Sequence, residues 1–205
     1  HRFTDGDPDL TGFPNPRDID FVNAMLAVIE ADNVGAGVSS AVYFESTLLL
    51  DAATLPSVEE SRTAQSPVFL VSVSDAGELG PRHPIVVEAV DSAANQQAFG
   101  APFMLGILPY QGAPLAASTL YVAVVLDDVR TATGLSLERP TALRDLLAGR
   151  TPSGLDADHA ADYLAAAQAL EDADVPLGRV VGMTAFRTGD PTAQLVEARE
   201  EVLGG

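Results

Sequence analysis

The chain has 205 residues, 47% of them apolar, with 29 acidic side chains against 11 basic ones and a formal net charge of -18; every basic residue is arginine, and cysteine is absent. That apolar content is too high for a disordered chain and sufficient for a substantial core. The charge repels phosphate backbones and anionic lipid headgroups, so no nucleic acid is expected as a partner, and missing thiols exclude disulfides and thiolate metal sites. No apolar run reaches the ~18 residues that would suggest a transmembrane segment.

In chain order, residues 1–16 form an acidic segment rich in Pro and Gly that reads as a loop or tail. His1 in place of Met suggests a processed or cloned chain, and no signal peptide is visible. A helix is expected over 18–31, with Phe21, Val22, Met25, Leu26 and Ile29 on one face and Asp18 and Asp20 at its start. Five strands follow, near 38–45, 68–74, 85–90, 103–108 and 119–126, with Asp75-Ala76-Gly77 and Gly80-Pro81 suited to a hairpin between the second and third.

The strand over 119–126 is apolar on both faces, so it belongs in a sheet covered on both sides or inside a sandwich. Further helices are expected near 141–148, 156–172 and 191–203. Asp156 and Asp190 act as caps, Pro191 opens the last helix, and a strand spans 180–187. The expected stripe of the third helix is Ala160, Tyr163, Leu164, Ala167 and Leu170. Each helix has one apolar face and is expected to dock on the strands. Strands at this spacing without intervening helices favour an antiparallel β-sandwich. The fold class is therefore mainly β with peripheral helices, a single domain over 17–205.

Chemical motifs are sparse. Gly37-Val38-Ser39-Ser40-Ala41 and Gly134-Leu135-Ser136-Leu137-Glu138 approach a nucleophile elbow, but both lack its final Gly, and Ser39 precedes a strand where the elbow needs a helix. His83 sits between turn prolines and His159 in the first turn of a helix, with no metal-binding spacing, so both read as solvated or near a cap. The pairs Glu59-Glu60, Asp127-Asp128 and Glu200-Glu201 read as solvated charges, and Asn33-Val34-Gly35-Ala36-Gly37 precedes a strand rather than the helix a phosphate loop requires. No catalytic group is expected. The alternating carboxylates Asp5, Asp7 and Asp9 could present oxygens to Ca²⁺, with help from Asp18 and Asp20 if the chain folds back. The full calcium-loop pattern fails because its twelfth position is Pro16. The alternative is a solvated acidic tail, part of a surface that keeps the protein soluble in high salt.

Seven segments in serial order carry a resemblance: Gly37 to Glu45 (GVSSAVYFE), Leu50 to Pro56 (LDAATLP), Pro67 to Val73 (PVFLVSV), Pro84 to Val90 (PIVVEAV), Phe103 to Pro109 (FMLGILP), Pro114 to Leu137, and Arg179 to Leu195 (RVVGMTAFRTGDPTAQL). Together they resemble the immunoglobulin-like accessory domains that precede α/β-hydrolase domains in secreted lipases and related hydrolases of large-genome bacteria. The resemblance covers roughly residues 19–200. It implies an immunoglobulin-like sandwich, an extracellular or cell-surface location, and a non-catalytic role in positioning, stabilising or tethering a C-terminal hydrolase domain. A departure is that the hydrolase domain and its Gly-x-Ser-x-Gly elbow are missing from these residues. The second expectation is a stand-alone extracellular or surface protein that acts through protein-protein contacts.

Overall fold

The computed structural model describes residues 2–4, 7–9, 18–32, 35–92 and 101–204. Its strands are β1 (Arg2–Thr4), β2 (Asp7–Asp9), β3 (Val42–Ser46), β4 (Val68–Val73), β5 (Ile85–Asp91), β6 (Phe103–Pro109), β7 (Leu120–Leu126) and β8 (Val180–Arg187). Its α-helices are α1 (Asp20–Asp32), α2 (Val58–Ser61), α3 (Thr141–Leu147), α4 (Ala157–Asp172) and α5 (Ala193–Gly204). Two three-stranded sheets, ordered β3-β6-β5 and β4-β7-β8, are antiparallel at every pairing. β1 and β2 pair antiparallel within the segment expected as a loop.

Alternation along β4 and β7 divides their side chains between two cores. Leu70, Tyr121, Ala123 and Val125 join Ile85, Leu105 and Ile107 of the other sheet, so this core lies between the sheets. Phe69, Val71, Val122 and Val124 instead meet Leu143 and Leu146 of α3 and Ala166 and Leu170 of α4. The order of layers is sheet, sheet, helices. The expectation of a mainly β fold with peripheral helices is corrected here, since among the described residues helix is at least as abundant as strand and α3 and α4 pack into one of the two cores. The physical reason is the strand pattern itself: a sheet apolar on both faces needs a cover on its second face.

The two sheets also replace the expected hairpin between β4 and β5. After the turn at Asp75-Ala76-Gly77 the chain runs back along β4, with Gly80 N–H bonding Ser72 O and His83 N–H bonding Leu70 O. It then crosses to pair β5 with β6 in the other sheet. Pro84 has no N–H to donate, so the short return along β4 ends at His83. The connection between β6 and β7 is fixed by Tyr121, whose hydroxyl accepts from the N–H of Ala116 at 3.0 Å. Beside it, buried Thr188 accepts from Thr119 N–H at 2.9 Å and donates to Ala116 O at 2.6 Å.

The terminal helices do not dock on the cores as expected. In α1, Phe21 is 71% exposed, and the helix packs chiefly against β2. In α5, Leu195, Val202 and Leu203 are likewise exposed. The Asp190 carboxylate accepts from the N–H and the hydroxyl of Thr192 just ahead of α5, which begins at Ala193. In α4 the cap at Asp156 is present, accepting from His159 N–H at 2.9 Å. Its buried stripe runs through Ala160, Ala166, Ala167, Ala169 and Leu170, whereas Leu164 of the expected stripe is exposed. Among the described residues no helix is long and apolar enough to cross a membrane.

Candidate functional site

A cleft of about 300 Å³ opens along the side of β8 that faces away from β7. Gly182 and Met183 of β8 form its floor, Leu143 and Leu146 of α3 one wall, and Pro152, Gly154 and Leu155 of the following loop another. Phe44 reaches it from β3 in the opposite sheet, and Tyr163 reaches it from α4. Gly182 permits this approach, because a Cβ there would sit 3.3 Å from the Phe44 ring and from Val125. The register of β8 against β7 shifts at the neighbouring step, between Val125 and Leu126. Tyr163 bonds Thr184 through their hydroxyls at 3.0 Å. None of the lining residues is charged.

The residues singled out from sequence do not assemble there. The ring Nε2 of His83 lies 2.7 Å from Ala113 O, and the ring meets Tyr121 edge-on, which builds it into the β6–β7 connection. The ring of His159 lies 2.6 Å from the Asp156 carboxylate, beside the α4 cap as expected. Ser39 is exposed in a turn, and the Ser136 hydroxyl accepts from Arg130. Glu60 completes a capping box with Ser57, and the N–H of Ser57 draws its carboxyl below the usual range.

Asp127 and Asp128 stand in the turn after β7 and stay about half-exposed, and both engage Arg179. The bond to Asp127, with added attraction from Asp128, holds the guanidinium pKa above its ordinary value. Arg139 donates to the carbonyls of Val180 and Leu177, so it covers one end of the free edge of β8.

For the calcium expectation, Asp5 lies outside the described residues, and Asp7 and Asp9 occupy the two ends of β2. Asp18 accepts from the Asn23 side chain at 2.8 Å at the start of α1. Among the described residues no three His, Asp or Glu side chains are grouped to hold a metal. The cleft was not anticipated because its mainly apolar lining comes from five separate places in the chain: β3, α3, the loop after it, α4 and β8. The one local signal is Gly182, a residue without a side chain inside the strand β8. No protein-family model, curated protein or solved structure matches this chain.

Proposed function

We propose that this is an immunoglobulin-like accessory domain that positions or tethers a partner domain and performs no catalysis itself. The observation that carries the reading is strand order. The sheet β3-β6-β5 corresponds to the B-E-D strands and β4-β7-β8 to the C-F-G strands of an immunoglobulin sandwich. Tyr121 supports it further. A tyrosine near the start of strand F, bonded to backbone a few residues upstream, is a hallmark of such domains, and Tyr121 bonds Ala116 in that way at the start of β7. The departures are the helical layer over β4-β7-β8 and Ala123 in place of the cysteine found two residues after that tyrosine in antibody domains.

The partner favoured by the resemblance is a C-terminal α/β-hydrolase domain of a secreted protein. The second reading, a stand-alone extracellular or surface protein, draws on the exposed apolar residues of α1 and α5, which suit protein contact. The gene downstream of Gly205 separates the two: a hydrolase-encoding frame supports the first, and a stop codon the second. Catalysis is tested directly with short-chain p-nitrophenyl esters. The purified chain should not exceed the buffer rate. Turnover that disappears on replacing Ser39, Ser136 or His83 overturns the non-catalytic reading.

A further inference from the structure

We propose that the cleft on the free edge of β8 binds one small, uncharged, mainly apolar molecule that carries a hydrogen-bonding group such as a hydroxyl. Its volume of about 300 Å³ has room for roughly ten water-sized groups. That lies at the lower end of the range for ligand pockets, so the occupant is small. The walls are the side chains of Leu143, Leu146, Leu155 and Met183 with the rings of Phe44 and Tyr163. Such a lining rewards burial of an aliphatic or aromatic body.

Charge narrows the class. No lining residue offers a counter-ion, and the molecule around the cleft carries -18, so a carboxylate or phosphate would be buried without compensation. Two hydroxyl-bearing residues line the cleft: Ser153, exposed in the loop, and Tyr163, held by its bond to Thr184. A tyrosine hydroxyl both donates and accepts, as does a threonine hydroxyl, so the Tyr163–Thr184 bond leaves one hydroxyl hydrogen and free lone pairs for a ligand. Binding of this kind is independent of the accessory role.

The test uses the full chain and the uncharged fluorescent probe N-phenyl-1-naphthylamine. The probe is excited at wavelengths where neither tyrosine nor an introduced tryptophan absorbs, so its emission is read without background from the wild type or the variants. Expected is saturable binding at one site, displaced by 1-octanol, with octanoate at pH 8 weaker by about tenfold or more because its charge is desolvated. Ala142 is exposed at the rim, so Ala142→Trp fills the cleft without disturbing either core. Ser153→Trp does the same from the loop and serves if the first variant fails to fold. Either filled variant should keep the wild-type melting temperature and lose most probe binding. Phe21→Ser on α1 should bind the probe as wild type does. Unchanged binding in both filled variants, loss of binding in Phe21→Ser, octanoate competing as well as octanol, or no saturation each overturns the proposal.

Discussion

Thr188 concentrates three backbone partners on one hydroxyl: Thr119 N–H, Ala116 O and, at 3.2 Å, Thr119 O. It is 3% exposed, so Thr188→Val keeps the shape but strands those groups away from water. The expected cost is about 2 kcal/mol, read as a lower urea midpoint at unchanged slope. No loss of stability would mean that solvent replaces the hydroxyl. At Asp156, the His159 N–H chiefly lowers the carboxyl pKa on folding. A carboxyl whose folded pKa is depressed stabilises the fold above its unfolded value, near 4, and loses that contribution as pH falls through the folded value. Glu60 and Asp190 have the same sign, drawn down by Ser57 and Thr192. Protonation elsewhere relieves self-repulsion and acts oppositely. Asp156→Asn isolates the cap, since Asn caps nearly as well but does not titrate. The melting-temperature advantage of wild type over this variant should shrink between pH 6 and pH 3; a constant gap would show that the cap charge is immaterial.

At the scale of elements, the double-faced strand makes a sharp expectation. Val124 is fully buried in β7, facing α3 and α4. Val124→Asp places an unpaired charge there at a cost of several kcal/mol by order of magnitude. Loss of the cooperative thermal transition is expected, and a folded, soluble variant would contradict the burial. This strand was the most legible feature of the sequence, because an uninterrupted apolar run bounded by polar turns admits few placements. β4 to β8 fall within one or two residues of their expected bounds for the same reason. β3 was misplaced at its start: Ser40 N–H closes a turn on Gly37 O and Val38 O is taken by Leu115, a long-range bond no local pattern announces. The face of α4 was partly misread because alanines bury as well as leucine on a crowded helix, leaving Leu164 outside. The site was barely legible. Its walls are core-type residues, and only the convergence of β3, β8, α3, α4 and their loops makes them a cleft.

For the whole molecule, the net charge of -18 sets the response to salt. Screening should raise the melting temperature equally in sodium and potassium chloride at matched ionic strength. Calcium bound at Asp5, Asp7 and Asp9 would stabilise beyond ionic-strength-matched magnesium, because Ca²⁺ accepts flexible many-oxygen coordination. Replacing all three by Asn should then abolish the difference; equal shifts in the two salts, or a difference that survives the replacement, discard the calcium site. One consequence follows from the middle layer. β7 has a neighbour on each side, and all seven of its residues are buried between the two cores. Its amide hydrogens bonded into the sheet can reach solvent only if both cores open together. Those amides should exchange with deuterium at the rate of global unfolding, while amides of α1 and α5 exchange early from local fraying. Melting the helical layer would uncover one face of the same hydrogen-bonded strand, so the two cores should come apart as a single cooperative unit.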